Sequence, residues 1–267
     1  MSTSSGSMPE RPGRFQRPSL PMLFSAVAFA GVVVWSFDGV DLSLSTFAEG
    51  LPQMGRVLGE MVPPDFSRAG SIGGKLLETF QMAVAGTVLA VLLSLPIAVF
   101  AARGQSPHPL LYHLSRAVVT FCRTVPDLIW AIFFVVTVGL GPFAGVLALM
   151  MEAIGFCGRF FAEAIEEVEE GPQEGLRAVG ASRMGIVVCT VLPAALPSMV
   201  ASSLFALEKA VRSSVVLGLV GAGGIGVELT TAMDMYEYQT ASAIILAIFA
   251  MIMVVERLSA MVRARIM

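Results

Sequence analysis

An otherwise apolar stretch of the chain contains three charges within five residues, at Glu208, Lys209 and Arg212. A charged side chain is costly in hydrocarbon and normally faces a protein interior or a watery pathway. In a helix, Glu208 and Arg212 share one face and can pair, whereas Lys209 points about 100° away from Glu208. Two interpretations stay open: a structural ion pair that locks two helices, or cations lining the path of an anionic solute.

A second charged pair, Arg123 and Asp127, flanks Pro126 in another apolar stretch. Proline cannot continue a helix without losing a hydrogen bond, so the helix is expected to be interrupted at Pro126. The two charged residues are four positions apart, and an adjoining ion pair is expected. A structural role and a role in a translocation pathway are equally compatible with this pattern.

Four glycines follow the first charged run, at Gly221, Gly223, Gly224 and Gly226. They do not form a nucleotide-binding loop, because the Gly-Lys-Ser/Thr ending of that loop is missing. Glycines at the end of a membrane helix are more typical of tight helix packing, or of a bend that serves as a gate.

Residues 162–193 form a polar segment between apolar blocks. Its glutamates are Glu163, Glu166, Glu167, Glu169, Glu170 and Glu174. They are followed by Gly180 and by Leu192-Pro193. The pattern predicts a helix over 173–179, a break at the glycine, and a second helix that ends at the proline. Two short helices at an angle would form a compact projection.

The composition indicates a membrane protein. The chain is 55% hydrophobic and 14% charged, whereas soluble domains average about 45–50% apolar and about 25% charged residues. Its net charge of −3 lacks the basic excess that nucleic-acid binding requires. The cysteines and histidines show no ligand spacing, so no metal site is expected.

A membrane-spanning helix needs about 20 mainly apolar residues. Blocks of that kind occupy 20–37, 79–102, 128–151, 184–207 and 238–255. The third block belongs to an apolar region, 117–164, that is too long for one span and is expected to turn at 139–142. The sequence therefore predicts an all-α membrane protein with six transmembrane helices. The fifth is expected at 196–217, because the segment 162–193 overlaps the start of its block.

The arginines and lysines predict the orientation. With both termini on the cytoplasmic side, that side carries Arg11, Arg14, Arg17, Arg103, Arg116, Arg159, Arg177, Arg183, Arg257, Arg263 and Arg265. The outer side carries Arg56, Arg68 and Lys75, which gives a clear positive-inside bias. Residues 1–19 are expected to be a disordered cytoplasmic tail, 20–37 the first span, 38–78 an extracytoplasmic segment with a small helix or loop, and 79–267 the core.

Segment 162–193 resembles the ATPase-coupling motif of ABC-importer permeases. The residues that carry the resemblance are Glu174, Gly175, Leu176, Gly180, Ala181, Leu192 and Pro193. Two positions differ from the usual motif: Gly175 stands where alanine is usual, and Thr190 where isoleucine is common. In that family the projection docks into a cleft of the ATPase subunit. The resemblance implies the same docking role for this segment.

Residues 123–131, 139–145 and 211–226 further resemble phosphonate-type ABC permeases. The resemblance implies the methionine-importer-like, type I fold in a bacterial inner membrane, and import of phosphonates, phosphite or phosphate. An anionic solute is consistent with the charges within the apolar stretches, and Glu208, Lys209, Arg212 and Arg123 are the candidate residues of the translocation pathway. The resemblance also implies two ATPase subunits that hold ATP and Mg²⁺, a second permease copy or paralogue, an extracytoplasmic binding protein and lipid contacts. No cofactor and no catalysis are expected in this chain itself.

Two alternatives remain. A permease for another small solute, such as methionine or an organic cation, would share the coupling motif. A membrane enzyme or channel subunit belongs to a different class. That class would need no ATPase partner and gives no reason for the spacing from Glu174 to Pro193.

Overall fold

The structure is a computed structural model that describes residues 20–40 and 44–266. All regular elements within these residues are helical. The predicted disordered tail, 1–19, lies outside the described residues. In chain order the α-helices are α1 (Leu20–Gly39), α2 (Leu44–Glu60), α3 (Ala69–Ala101), α4 (Pro109–Thr124), α5 (Asp127–Val138), α6 (Pro142–Glu166), α7 (Glu170–Ala178), α8 (Arg183–Ile186), α9 (Leu192–Leu217), α10 (Ile225–Asp234) and α11 (Tyr238–Ile266).

Five helices in the described part of the chain are long and apolar enough to cross a membrane. They are Leu20–Gly39, Ala69–Ala101, Pro142–Glu166, Arg183–Val220 and Tyr238–Ile266. Helices α4 and α5 meet the same criteria as a pair bent by 91°, which gives six spans when the pair counts as one. The bend lies at Val125, which is extended (φ −78°, ψ 121°) because a residue before proline avoids the helical region. The predicted interruption at Pro126 is therefore present.

The chain divides into two compact units, 1–56 and 57–267. In the first unit, α1 is apolar and has no buried residue. The second unit contains α3, which begins at Ala69 and so extends into the segment predicted to lie outside the membrane, 38–78. An ion pair between Lys75 and Glu78, one helical turn apart at 2.8 Å, accompanies this continuation of the helix beyond the apolar block.

Small residues allow the helices of the second unit to approach one another closely. A Cβ on Gly86 of α3 would lie 2.9 Å from the Leu149 Cβ of α6. A Cβ on Gly155 of α6 would lie 2.6 Å from the backbone nitrogen of Arg123 in α4. Close packing of small residues is a main source of helix association in lipid. It holds the last turn of α4, with Arg123, against the middle of α6.

The prediction that the second coupling helix ends at Pro193 is wrong, because the helix continues beyond that residue. The expected fifth span, 196–217, lies within the continuing helix, and its boundaries stay a prediction. One continuous helical segment runs from α8 through a π-helical turn, Val187–Val191, into α9. At that turn the Leu192 backbone N–H donates to the Val187 carbonyl, five residues back. Pro193 has no N–H to donate, and the helix continues through it directly after the wider π-helical turn.

Candidate translocation and coupling sites

A cleft of about 530 Å³ lies beside the bend between α4 and α5. It is lined by Arg123, Val125, Pro126, Asp127, Glu152, Phe156, Phe160, Phe205, Lys209 and Ser213. We call it the mid-membrane cleft, because Lys209 and Glu152 lie well inside the spans α9 and α6. Two predicted pathway residues, Arg123 and Lys209, therefore share one cleft. Its charged lining consists of two cations and two carboxylates.

Lys209 is paired across the cleft. Its Nζ lies 2.7 Å from Glu152 Oε1 on α6, and the Glu152 side chain is only 14% exposed. The same ammonium group lies 5.9 Å from the centre of the Phe156 ring. The Lys209 side chain is 49% exposed, so the pair is only partly desolvated, and removing the lysine would leave the Glu152 carboxylate uncompensated. Lys209 thus links α9 to α6 at the wall of the cleft.

The expected pairing of Glu208 with Arg212 does not occur. Glu208 Oε1 instead accepts a hydrogen bond from Arg263 Nη1 of α11 at 2.7 Å. The Glu208 side chain is 6% exposed and faces that helix. Sharing a helix face made pairing with Arg212 feasible, but a carboxylate packed against α11 is satisfied by the cation of α11. Glu208 therefore joins two helices through an ion pair, with Arg263 as its partner in place of Arg212. Its predicted role on the pathway stays a prediction.

Arg212 and Arg123 are exposed, and neither has an ion pair within the described residues. The expected pair of Arg123 with Asp127 is not formed, since the 91° bend between α4 and α5 removes the helix face that the two residues would share. Asp127 Oδ1 accepts from the Leu128 backbone N–H at the start of α5. An acidic residue in the first turn of a helix complements the helix dipole. Within the described part of the chain, the guanidinium groups of Arg123 and Arg212 therefore keep their donors free of carboxylate partners.

The four predicted glycines lie in a turn, Gly218–Gly226, that we call the glycine turn. Its first half is closed by two hydrogen bonds, from Ala222 N–H to Leu217 O (3.2 Å) and from Gly221 N–H to Gly218 O (3.0 Å). Gly221 has φ +80°, as this type of helix end requires. A Cβ on Gly223 would lie 2.8 Å from the Pro142 nitrogen, so the turn is packed against the start of α6.

Helix α3 supplies the caps for the helix that follows the glycine turn. The Ile225 backbone N–H donates to Thr79 Oγ1 at 2.7 Å, and the Gly224 N–H donates to Glu78 Oε1 at 3.0 Å. Glu78 Oε2 also accepts from Lys75 at 2.8 Å. Gly224 has no side chain that could cap α10, so these two residues satisfy its N-terminal donors from another helix.

The segment with the predicted coupling residues contains a second turn of the same type after α7, and we call residues 176–184 the coupling turn. The Ala181 N–H donates to Leu176 O and the Gly180 N–H donates to Arg177 O, both at 3.0 Å. Gly180 has φ +82°. The predicted break between two short helices is therefore present. Leu176 and Ala181 pack on the buried core beside Ile186, which supports the turn from one side.

Polar contacts hold this coupling turn against the ends of α3 and α6. The buried Gln173 donates to Val168 O and Glu169 O and accepts from Gln105 Nε2 at 3.0 Å. Nearby, the Tyr112 hydroxyl accepts from Arg103 Nε at 3.2 Å and raises the pKa of that guanidinium above its usual value.

The outer surface of the coupling turn is exposed and partly apolar. Val179 is 79% exposed and Met184 is 71% exposed. Glu174 and Gly175 are exposed as well, as is Pro193 farther along the helix. The same segment thus has one side anchored on the core and another that presents apolar and acidic groups.

Residues 94–267 match the family described as binding-protein-dependent transport system inner membrane component. The chain belongs to this family. It is therefore a multi-pass inner-membrane permease of a transport system and not an enzyme, as expected.

Two relatives extend the match beyond the family core. The permease is 43% identical over 238 residues to the phosphite transport system permease protein PtxC of Stutzerimonas stutzeri, covering 89% of this chain and 86% of the relative. It is 39% identical to the phosphate-import permease protein PhnE of Mycolicibacterium smegmatis, covering 84% of this chain and 42% of that longer protein.

A solved structure confirms the fold class. The permease superposes on a chain of the MetNI methionine ABC transporter in an inward-facing conformation with a TM-score of 0.65 and 25% identity. The match covers 73% of the permease and 96% of that chain. The expected methionine-importer-like architecture is therefore correct.

Several residues of these sites are absent from the sequence-based expectations. They are the partners Glu152 and Arg263 and the caps Glu78 and Thr79. A lone acid such as Glu152 in an apolar block signals a cation on a neighbouring helix. No comparable signal exists for Thr79, whose hydroxyl meets Ile225 only in the folded permease. Among the described residues no group of His, Cys, Asp or Glu is placed to hold a metal ion.

Proposed function

We propose that the permease imports phosphorus oxyanions, namely phosphonates, phosphite or phosphate, as the membrane subunit of an ABC importer. The observation that carries this proposal is the 43% identity to a phosphite permease across 89% of the chain. The phosphate-import relative supports the same class of solute. The structure supplies a chemical reason in the two arginines without an ion pair.

A guanidinium group suits phosphorus oxyanions because its planar fork can donate two parallel hydrogen bonds to two oxygens. In our proposal Arg123, at the wall of the mid-membrane cleft, and Arg212, exposed on α9, provide such donors on the pathway. Lys209 and Glu208 position them, because their ion pairs tie α9 to α6 and α11. The Arg123 of a second permease copy would face the same conduit.

The coupling turn is the proposed docking site for an ATPase subunit. Its exposed Val179 and Met184 would be covered by the partner, and Glu174, Gly175, Leu176, Gly180, Ala181, Leu192 and Pro193 would shape the contact. Two ATPase subunits would hold ATP and Mg²⁺. An extracytoplasmic binding protein would deliver the solute at the other end of the bundle, next to the glycine turn, with both permease termini in the cytoplasm.

The continuous helix from Arg183 to Leu217 offers a direct route for coupling. A helix that starts at the coupling turn and reaches the glycine turn moves as one lever, so a displacement at one end is felt at Lys209 and Arg212. ATPase closure would pull on the coupling turn. The helix would then shift against α6 and open the mid-membrane cleft alternately to the outer and the cytoplasmic side. The glycine turn, including Gly226, would serve at its outer end as a gate or as a point of tight packing.

The second candidate is a permease for another small solute. The likeness to the methionine transporter supports the shared fold, and competition separates the solutes. An organic cation is disfavoured by the unpaired Arg123 and Arg212. A membrane enzyme or channel of a different family is excluded by the family match.

The test is uptake of radiolabelled phosphite, an alkylphosphonate and phosphate by phosphorus-starved cells with and without the gene. Each uptake is repeated with the other compounds, and with methionine, as unlabelled competitors. We expect uptake of at least one phosphorus oxyanion to require the gene and to resist competition by methionine. Gene-dependent uptake of methionine, with no change for any phosphorus compound, would overturn the proposed substrate class.

A further inference from the structure

We propose that a second cleft, on the same side of Arg123 as the coupling turn, binds a phosphate-bearing group. This inner cleft has a volume of about 370 Å³ and lies between α4 and the later half of α6. It is lined by Ala101, Arg116, Val119, Thr120, Arg123, Thr124, Gly158, Arg159, Ala162 and Glu163. Arg123 also lines the mid-membrane cleft, so the two clefts share one guanidinium group.

The inner cleft has more positive charge than the mid-membrane cleft. Three arginines line it, and Glu163 is the one carboxylate among its lining residues. The mid-membrane cleft instead balances Arg123 and Lys209 with two carboxylates. A second carboxylate, Glu166, contacts Arg116 from outside the lining and leaves an excess of positive charge. An anion therefore gains more Coulomb energy in the inner cleft.

Most of the donors in the inner cleft are unused. Arg116 donates from Nε to Ala101 O at 2.9 Å and from Nη2 to Glu166 Oε1 at 2.6 Å. Arg159 donates from Nε to Glu163 at 2.7 Å. A guanidinium carries five N–H donors, so both arginines keep several free, and Arg123 keeps all of its own. These donors match the several acceptor oxygens of a phosphate-bearing group.

The two threonines of the cleft do not compete with these donors for an anion. Thr120 donates its hydroxyl to Arg116 O at 2.7 Å, and Thr124 donates to Thr120 O at 2.8 Å. Their hydrogens are committed inside α4, a common arrangement for threonine in a helix. Recognition in the cleft therefore rests on the guanidinium groups.

The ligand chemistry can come from two sources. A free phosphorus oxyanion could pass from the mid-membrane cleft through Arg123, a step that rests on the proposed function. An anionic phospholipid could instead insert its headgroup, since basic clefts between membrane helices bind such headgroups. Both use the same charge-assisted hydrogen bonds.

The ion pair of Arg159 with Glu163 provides a matched pair of variants. Both Arg159→Gln and Glu163→Gln break this exposed contact, which by itself contributes little to stability. They change the charge of the cleft in opposite directions. A merely structural pair predicts the same effect from both variants, whereas an anion site predicts opposite effects.

The experiment follows phenylglyoxal labelling of Arg116 in the assembled transporter by peptide mass spectrometry. Protection by inorganic phosphate in detergent, against chloride at equal ionic strength, reports a free anion. Protection in phosphatidylglycerol nanodiscs, against phosphatidylcholine nanodiscs, reports a headgroup. We expect Arg159→Gln to raise the phosphate concentration that gives half protection by about tenfold, or to lower protection by the lipid headgroup by the same factor. Tenfold is the scale of one lost charge-assisted hydrogen bond. Glu163→Gln should improve protection.

Absence of protection by both phosphate and phosphatidylglycerol would overturn the inner site, as would equal shifts in the two variants. The proposed function fails separately, through the uptake assay. Phosphate protection of Arg116 in a permease that transports no phosphorus compound would leave this site standing and the substrate assignment wrong.

Discussion

The coupling turn and the glycine turn have the same backbone geometry and opposite surroundings. Gly180 and Gly221 have φ values of +82° and +80°, and each turn closes with the same pair of hydrogen bonds. No atom lies within 4 Å of a Cβ built on Gly180, whereas one on Gly221 meets the Leu140 side chain. The coupling turn is therefore open at its glycine, whereas the glycine turn is packed against neighbouring side chains.

The difference shows that glycine serves two purposes in one molecule. At Gly180 the requirement is conformational, because the left-handed backbone alone disfavours other residues and the space around the position is open. In the glycine turn the requirement is also steric. Gly218 and Gly226 show this most strongly, since a Cβ on Gly218 would lie 2.5 Å from the Gly226 Cα. Substitutions should therefore disrupt the two turns to very different degrees.

The largest effect is expected for Gly223→Ala in the glycine turn. The substitution places a Cβ 2.8 Å from the Pro142 nitrogen at a backbone φ of +86°. Backbone strain and overpacking together should destabilise the permease by about 3 kcal/mol or more. The thermal midpoint and yield of the assembled transporter in detergent measure it. A midpoint equal to wild type would mean that the turn is not packed as described.

A smaller loss is expected for Thr79→Val, which removes the cap from the buried Ile225 N–H. An unsatisfied buried donor costs about 1–3 kcal/mol. Thr87→Val is the matched control on the same helix, because the Thr87 hydroxyl is buried without a hydrogen-bond partner. That control should be neutral or stabilising in the same thermal assay. Equal losses for both variants would argue against the cap.

Gly180→Ala tests the open turn and should cost about 1–2 kcal/mol, the strain of a left-handed alanine. Gly180→Asn should recover most of this loss, since asparagine tolerates the same backbone. The thermal midpoint measures the strain, and co-purification of the ATPase subunits measures the shape of the docking surface. A loss from Gly180→Ala as large as that from Gly223→Ala would contradict the contrast between the turns.

The smallest effect, and the opposite sign, is expected for Gly175→Ala. Gly175 lies inside α7 with no atom within 4 Å of its built Cβ. Alanine is favoured over glycine in a helix by up to about 1 kcal/mol. A slightly raised thermal midpoint is expected. A clear fall would show that this position is crowded in the assembled transporter, which would sharpen the description of the docking surface.

Local rules predicted the features that depend on the chain itself. The bend at Pro126 follows from proline geometry, and the break at Gly180 follows from glycine at a helix end. The helix end predicted at Pro193 failed because a π-helical turn precedes the proline. The π-helical turn has no sequence signal as plain as proline itself. The sequence thus predicted most of the helices, but it did not predict that α8 and α9 form one continuous helical segment.

Partner choice could not be derived from spacing. The sequence identified Glu208 as a costly buried charge, but only the packing of α9 on α11 determines that it pairs with Arg263. The same holds for Lys209 and Glu152. Spacing states which groups can meet within one helix, whereas the neighbouring helix decides which contacts form.

In the proposed mechanism the oxyanion is carried by Arg123, which has no ion pair among the described residues. ATP-dependent uptake of radiolabelled phosphite by proteoliposomes containing the assembled transporter tests it with Arg123→Gln and Arg123→Lys. Lysine keeps the positive charge and its favourable place at the end of α4. We predict about tenfold slower uptake for Arg123→Gln and only partial recovery for Arg123→Lys, which keeps the positive charge but not the planar fork of donors. Uptake at the wild-type rate by an assembled Arg123→Gln transporter would contradict the account.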